Sequence, residues 1–340
     1  MTTHDPTLIK FIDTKTIVDK FEKVRTKIKE SKVNKPHMRW MESHENDAII
    51  RSPVKGFKDG IPTIDQVFND YVSGISCVAG RANAGKSTYI VSCISGILSL
   101  NSDTIVLDFS FDDPPRKRYQ QLVANLSGLK FIDIAQAGLL QGVKKEMYEE
   151  ADTKLFNWFK EGRLVALEHQ EMLPSGQRLS VRDFTTVIHA IVKWRKAYPN
   201  IKIVAFVDAW NNLDTGSIRG LSELQTHNEM LKRMQNCAED NEVKLCLSAH
   251  FRKTQEKRPS IQDIKGTSDM EFNAVSVLIA RNEYKENFLT DPLMWEDENG
   301  NEFPILVLEN HKTKVSEWEY PLFMILKSAS CQLIPIHPFE

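Results

Sequence analysis

The chain of 340 residues is predicted to fold as an α/β domain with a mainly parallel central sheet flanked by helices. Three observations support this prediction. Apolar runs of strand length alternate with amphipathic stretches of helix length, which is the pattern of β–α units. The apolar runs are continuous, as is typical of parallel strands covered on both faces. A phosphate-binding motif also lies between one apolar run and the helical stretch after it.

The predicted elements follow one another from residue 56 onward. The stretch 284–301 is acidic and contains Asn299-Gly300, a pair typical of tight turns, so we expect a loop or hairpin excursion there. The predicted strands are 75–79, 104–109, 164–168, 203–207, 244–248, 275–280 and 304–309, and the predicted helices are 86–100, 116–126, 181–197 and 223–241.

Composition and charge exclude several classes of protein. Hydrophobic residues make up 41% and charged residues 26%, a balance typical of globular proteins. No apolar run approaches the roughly 20 residues that span a bilayer, and no signal peptide is evident, so we expect a cytoplasmic protein with no membrane partner. The 44 basic and 46 acidic residues exclude a broadly basic surface but not a local basic groove. The five cysteines form no CxxC pair, which argues against structural zinc and favours a reducing compartment.

Residues 1–52 are predicted to be an N-terminal linker helix and arm, followed by one domain at 53–340. Ile17, Phe21, Val24 and Ile28 form a narrow apolar stripe at helical spacing, and lysines crowd the other faces. Such a helix must bury its stripe somewhere. It would pack on its own domain, dock on a neighbouring subunit or lie on a membrane surface.

The strongest motif reads GRANAGKST from residue 80 to 88 and fits GxxxxGK[ST] without a mismatch. The glycines let the backbone fold closely around phosphate, and the helix N-terminus faces the anion. Lys86 would contact the β and γ phosphates of ATP, and the Ser87 hydroxyl would bind Mg²⁺. The alternative is a glycine-containing turn that binds nothing. The predicted nucleotide-binding residues of the motif are Gly80, Arg81, Ala82, Asn83, Ala84, Gly85, Lys86, Ser87 and Thr88.

Polar residues follow three of the other predicted strands. Asp208 lies at a strand end beside the ligand crevice, which gives it the Walker B role of holding the metal shell, or that of a simple strand cap. Asp112 or Asp113 would polarise the attacking water; otherwise they form an acidic helix start. His250 would sense the γ-phosphate, unless it is structural.

From residue 56 to about 335 the sequence resembles the RecA-like ATPase domain of DnaB-type hexameric replicative helicases. Residues 108–114 resemble the "FSLEMP" element of this family, and 121–129, QLVANLSGL, match the helix that follows it. Residues 248–252, SAHFR, stand where the family has "SQLNR". The stretch 258–271 and the tripeptide 281–283 resemble two further elements, the latter "RDE". The ordered set makes the match more specific than the phosphate loop does.

The resemblance implies roles for individual residues. Lys86, Ser87 and Asp208 take the nucleotide and Mg²⁺ roles, Asp112 falls at the catalytic glutamate, and His250 falls at the γ-phosphate sensor. Arg281 falls in the element that is counted among the nucleotide-binding residues. The K-x-R finger of the family aligns with 310–312, so Lys312 would reach the γ-phosphate of a neighbouring subunit, with Lys314 in reserve.

The sequence departs from the family at two of these positions. Asp112 is one methylene shorter than glutamate, and Lys312 lacks the bidentate fork of arginine. These departures concern the rate of hydrolysis more than nucleotide binding.

The resemblance also implies that the loops after the Walker B and sensor strands contact single-stranded DNA. The loops are basic, and no aromatic residue follows Phe251 in the second one, which favours contact with the DNA backbone over base stacking. The alternative is a solvated charged loop. The candidate DNA-binding residues are Arg219, Arg252, Lys253, Lys257, Arg258 and Lys265.

The leading hypothesis is a ring-forming motor, dependent on ATP and Mg²⁺, that translocates on single-stranded DNA and unwinds duplex DNA. It would be a homo-oligomer, most simply a hexamer, in a bacterial or phage-infected cell, with a primase or loader as a partner. One alternative is a RecA- or KaiC-like ATPase that switches or assembles without unwinding. Another is a scaffold that binds ATP but barely hydrolyses it.

Overall fold

A mixed sheet of ten strands is the centre of the part of the chain that the structure describes. In the computed structural model, that part is residues 61, 73–167, 170–172, 178–180, 183–215, 218, 220–252, 258–266, 269–287, 292–313 and 321–336. The predicted linker helix and the predicted boundary between residues 52 and 53 lie outside these ranges.

Six neighbouring strands of the sheet are parallel, in the order β8-β1-β7-β6-β2-β3. Beside β8 the sheet continues with antiparallel β10, β11 and β12, and β9 pairs with β10. A separate two-stranded sheet contains β4 and β5. The strands are β1 Gly74–Gly80, β2 Thr104–Ser110, β3 Leu164–Leu167, β4 Gln170–Met172, β5 Arg178–Ser180, β6 Lys202–Asp208, β7 Lys244–His250, β8 Ala274–Asn282, β9 Met294–Glu296, β10 Glu302–Thr313, β11 Leu322–Lys327 and β12 Gln332–Pro335.

Helices connect the parallel strands and flank the sheet. Short 3₁₀ turns at Ala137–Leu139, Trp210–Asn212, Ile261–Asp263 and Ser328–Ser330 join other elements. The helices are α1 Lys86–Leu100, α2 Pro115–Ser127, α3 Phe131–Ala135, α4 Gly142–Lys160, α5 Phe184–Ala197, α6 Glu223–Asp240, α7 Met270–Asn273 and α8 Glu283–Asn287. No helix among the described residues is long and apolar enough to cross a membrane.

The parallel register brings the ends of four strands together. Gly80 of β1 is level with His250 of β7, and Ser110 of β2 is level with Asp208 of β6. Side chains and loops after these strands therefore share the carboxyl edge of the sheet, where ligands bind in open α/β sheets.

The seven predicted strands and four predicted helices are confirmed within a few residues at each end where the structure describes them. The excursion at 284–301 is a short helix followed by the β9–β10 hairpin, which turns at Gly300 with φ of 76°. The sequence reading missed α4, a helix of 19 residues, and it also missed β11 and β12.

Candidate active site

The phosphate loop joins β1 to α1 at the carboxyl edge of the sheet. A Cβ on Gly80 would lie 2.7 Å from the carbonyl oxygen of Ala280, so the end of β1 has no room for a side chain. Gly85 caps α1 with φ of 103°, a left-handed backbone angle that favours glycine. The whole motif from 80 to 88 therefore lies on one strand–loop–helix unit, the arrangement that presents backbone N–H groups to an anion.

The Lys86 side chain is buried beneath this loop and is only 5% exposed. Its Nζ donates hydrogen bonds to the carbonyl oxygens of Gly80, at 3.0 Å, and Arg81, at 2.8 Å. Burial lowers the pKa of Lys86 to about 8, although the Asp208 and Asp112 carboxylates oppose this shift. The ammonium thus lacks a strong counter-charge of its own, and a phosphate group at the loop would provide one.

Asp208 ends β6 and is almost fully buried. Its Oδ1 accepts a hydrogen bond from Ser248 at 2.5 Å, and its Oδ2 accepts one from Arg118 at 2.6 Å. Burial alone would raise the pKa of Asp208, but the Arg118 charge and hydrogen bonds from Ser248, Arg118 and Ser87 hold it below its ordinary value. Asp208 is therefore an anion at neutral pH.

Ser87 and Asp208 fit a magnesium ion that arrives with a nucleotide. The Ser87 hydroxyl lies within hydrogen-bond reach of the Asp208 carboxylate, so two oxygen donors of the kind Mg²⁺ prefers are adjacent. Within the described ranges, no group of three or more His, Cys, Asp or Glu side chains could hold a metal ion alone. Mg²⁺ in nucleotide sites usually completes its shell with water and phosphate oxygens, which suits a pair of protein ligands.

The two aspartates after β2 point in different directions. The Asp112 side chain is 47% exposed, its Oδ2 lies 3.9 Å from His250 Nε2, and its Oδ1 accepts a hydrogen bond from Asn212 at 3.2 Å. Asp113 is buried and accepts a hydrogen bond from Gln121 of α2 at 2.9 Å. The structure therefore turns Asp112 toward the sensor strand, whereas Asp113 anchors the start of α2.

A 3₁₀ turn at Trp210–Asn212 directly follows the Asp208 strand and organises its neighbours. Trp210 is fully buried, and its ring packs edge-on against His227 at 5.7 Å between centroids. This packing fixes the turn, so that the side chains of Asn211 and Asn212 extend toward His250 and Asp112, respectively.

His250 ends β7 and is joined to the following loop by Asn211. Asn211 Oδ1 accepts a hydrogen bond from the His250 N–H at 2.8 Å, and its Nδ2 donates one to the Lys265 carbonyl at 2.5 Å. The Lys265 N–H in turn donates to the His250 carbonyl at 2.7 Å. Burial and the nearby Lys86 charge hold the pKa of His250 below its ordinary value, against the attraction of Asp112, so the ring is neutral at pH 7.

No family model and no curated protein matches this sequence, but solved structures match its fold. One of them, the ATPase domain of a larger protein, superimposes with a TM-score of 0.69 at 12% identity, covering 90% of this chain and 100% of that one. A DnaB-like replicative helicase, solved with its interactions with primase, gives 0.66 at 12% identity, covering 95% and 72%. The KaiC-like protein PH0186 from Pyrococcus horikoshii gives 0.53 at 11% identity, covering 84% and 100%.

This chain has the RecA-like P-loop fold. The predicted fold class is therefore confirmed, and the resemblance to DnaB-type ATPase domains holds at the level of the fold. At such low identities, the roles of individual residues depend on the geometry of this chain.

Arg281 makes protein contacts that differ from its predicted nucleotide role. It is 3% exposed, its Nε lies 2.7 Å from Glu309 Oε2, and it donates a hydrogen bond to the Pro259 carbonyl at 2.9 Å. A phosphate contact would require the guanidinium to leave these partners. The contacts favour a structural role, in which Arg281 ties β8 and β10 to the loop that contains Pro259.

Lys312 lies away from the phosphate loop of its own chain. It pairs with Val277, three residues before Ala280, which is level with Gly80. At about 3.3 Å per strand residue the two rows are about 10 Å apart along the sheet. The Lys312 ammonium contacts the Glu271 carbonyl. Contact with a nucleotide would therefore have to come from a neighbouring subunit, as the predicted finger role requires.

Arg252, Arg258 and Lys265 are the predicted DNA-binding residues that the structure describes, and all three are exposed on the segment after β7. Arg252 also pairs with Asp263 at 3.3 Å, so one of these cations has a partner of its own. The predicted residues Arg219, Lys253, Lys257 and Lys314 lie outside the described residues.

The sequence reading missed four side chains of this site, but each left a signal. Ser248 precedes His250 by two residues, so strand alternation places both on one face. Arg118 precedes the buried Leu122 by one helical turn, and a basic residue on a buried face implies a buried anion. The remaining two are Asn211 and Asn212, a polar pair directly after the Walker B strand.

Proposed function

We propose that this chain is an ATP-hydrolysing motor that forms a ring, translocates on single-stranded DNA and unwinds duplex DNA, in the manner of DnaB-like helicases. One observation carries the proposal. Lys86, Asp208, Asp112 and His250 meet at one edge of a RecA-like sheet, and Asn211 joins this edge to the basic segment after β7.

ATP would bind with its phosphates against the loop at residues 80–88. The backbone N–H groups and Lys86 would neutralise phosphate charge, and burial of Lys86 strengthens that interaction because little water competes there. Ser87 and Asp208 would hold Mg²⁺, which, when bound, neutralises charge that develops on the phosphate oxygens.

Hydrolysis would depend on Asp112 and its two neighbours. The exposed Asp112 carboxylate would accept the proton of the attacking water, and the hydrogen bond from Asn212 would fix its orientation. The neutral His250 ring would donate a hydrogen bond to the γ-phosphate. Lys312 of the adjacent subunit would add positive charge in trans, which makes the ring necessary for full activity.

Single-stranded DNA would follow the exposed cations after β7, among them Arg252, Arg258 and Lys265. Each subunit contributes few charges, but six copies around a pore would multiply them, so a chain with a net charge of -2 can still bind a polyanion. The link from His250 through Asn211 to Lys265 would pass the state of the γ-phosphate to this DNA segment.

Assembly and partners are part of the same proposal. The arm at 1–52 would dock on the adjacent subunit, and the domain at 53–340 would form the ring, most simply a hexamer. A primase or loader is a natural partner, since one structure with this fold is a DnaB-like helicase solved with its interactions with primase.

The direct test measures ATPase activity with and without single-stranded DNA, strand displacement on a forked duplex, and particle mass with ATP and Mg²⁺. Lys86→Ala is the matched control for contaminating ATPases, because it removes the phosphate-binding ammonium. We expect stimulated turnover, displacement and a ring mass, all absent in the control except the mass. Nucleotide-loaded rings that neither respond to DNA nor displace a strand would refute the proposal.

A second function is a KaiC-like ATPase switch without unwinding activity. The KaiC-like structural match and the short, solvent-exposed Asp112 favour it, because a poorly placed acid suits slow turnover. Turnover that DNA does not stimulate would support this alternative. ATP binding without turnover, unchanged by Asp112→Ala, would instead indicate a scaffold.

A further inference from the structure

A buried arginine, Arg118 of α2, lies between two buried carboxylates of the sheet. Its side chain is 3% exposed, one terminal nitrogen lies 2.6 Å from Asp208 Oδ2, and its Nε lies 3.3 Å from Asp108 Oδ2. Asp108 is on β2 and is 1% exposed. The cluster of two carboxylates and one guanidinium keeps one net negative charge in a nearly water-free site.

The main chain fastens the same region a second time. The carbonyl oxygen of Asp208 accepts hydrogen bonds from the Phe111 N–H at 2.5 Å and the Asp112 N–H at 3.0 Å. The turn that carries Asp112 therefore hangs on the backbone of Asp208, whereas the carboxylate of Asp208 is held by Arg118.

Arg118 also belongs to the helix that begins directly after this turn. α2 begins at Pro115, and the Arg118 N–H donates a hydrogen bond to the Pro114 carbonyl at 3.1 Å. Helix, turn and strand end thus form a closed loop of contacts through Arg118, Asp208 and Asp112. A shift of α2 would move the metal-holding carboxylate and the water-facing carboxylate together.

We propose that Arg118 is a positioning residue that orients the Asp208 carboxylate toward Ser87 for Mg²⁺ binding. The inference rests on the proposed nucleotide and Mg²⁺ site, and it adds a residue that touches neither ligand. Arginine suits the task because its planar fork can meet both carboxylates at fixed angles, whereas lysine offers a single point charge.

The test compares two variants of the full chain that separate charge from orientation. Asp108→Asn keeps the Arg118–Asp208 pair and removes only the second carboxylate. Asp108→Asn combined with Arg118→Met keeps the wild-type net charge of the cluster but removes the group that orients Asp208. The probe is a fluorescent, slowly hydrolysed ATP analogue, titrated once with Mg²⁺ and once with EDTA, and the ratio of the two affinities is the Mg²⁺ enhancement.

We expect Asp108→Asn to keep the wild-type Mg²⁺ enhancement within about threefold. The double variant should lose at least about tenfold of it, as is usual when a residue that supports a metal ligand is removed. Its affinity in EDTA should change by less than about threefold, since the phosphate loop is intact. A merely structural role would lower both affinities together, so an equal loss in EDTA would overturn the proposal, as would an unchanged enhancement.

Arg118→Lys covers the case in which the double variant does not fold. It keeps the charge and loses the fork, so we expect a reduced enhancement; an unchanged one would overturn the proposal. A wild-type chain that binds the analogue with Mg²⁺ but shows no DNA-stimulated ATPase would refute the proposed function alone, because the Mg²⁺ ratio remains measurable. A wild-type chain without Mg²⁺ enhancement would refute the inference.

Discussion

Replacement of Lys86 by methionine should change how the stability of the nucleotide-free protein depends on pH. The pKa of Lys86 is about 8 in the folded chain, against an ordinary value of 10.5. Between these values the unfolded chain binds more protons than the folded one, so the wild type gains stability as the pH rises. The penalty for the buried ammonium is complete below pH 8 and is lost above pH 10.5. Integrated from pH 7 to pH 9.5, the gain is about 2 kcal/mol.

Urea unfolding of the wild type and Lys86→Met at both pH values measures this gain as a difference of differences. Other groups that titrate in the same range cancel between the two proteins, and the hydrogen bonds that Lys86 makes to the loop do not depend on pH over most of the window. Lys232→Met, at an exposed position on α6, is the control and should show no such change. A difference between wild type and Lys86→Met that stays constant within about 0.5 kcal/mol would refute the account of a destabilised buried ammonium.

Nucleotide binding should report the same charge from the other side. At pH 9 only about a tenth of the Lys86 side chains are protonated in the free protein, so binding of ATP should take up nearly one proton there and much less at pH 7. Calorimetry in buffers with different ionisation enthalpies measures that uptake. Equal uptake at both pH values would show that Lys86 keeps its proton throughout.

Three further predictions test separate parts of the structure. Asp112→Asn should lower ATP turnover at least about 100-fold with nucleotide affinity nearly unchanged, since a general base typically contributes that much; retained turnover in a rapid-quench assay would exclude Asp112 as the base. Lys265→Ala should reduce the slope of log affinity for single-stranded DNA against log salt by about 0.7, the value for one lost phosphate contact, and fluorescence anisotropy would reveal an unchanged slope if it makes none. Gly80→Ala should lower the free energy of unfolding by about 1–3 kcal/mol because the new methyl group overpacks against the Ala280 carbonyl, and equal urea midpoints would contradict this.

The sequence predicted the parallel strands well because a strand buried on both faces leaves a continuous apolar run. It missed α4 for an equally physical reason. The buried residues of that helix are Ala151, Leu155, Trp158 and Phe159, all in its second half, so its first half shows no helical periodicity. The short apolar run of β11 can be a strand or part of a buried helix, and only its pairing with β10 decides between them.

The same distinction applies to the site. Asp208, Asp112 and His250 could be located from the sequence because each follows an apolar run, and parallel strands share their carboxyl edge. The ion pair between Arg118 and Asp208 joins residues 90 positions apart, so no local pattern specifies it. The choice between Asp112 and Asp113 also required the structure, because the buried contacts of α2 take up the second carboxylate.

The link between the nucleotide site and the DNA segment has a definite weak point in this structure. His250 and Lys265 are already joined main chain to main chain by one hydrogen bond, which any side chains at these positions would preserve. The two hydrogen bonds of Asn211 are different, because one amide group connects the end of the sensor strand to the segment after it and belongs to the turn that follows Asp208. A shift of Asp208 on nucleotide binding would therefore reach Lys265 through Asn211. In the proposed motor, communication between the nucleotide and DNA thus depends on Asn211 more than on the cations that would contact the strand.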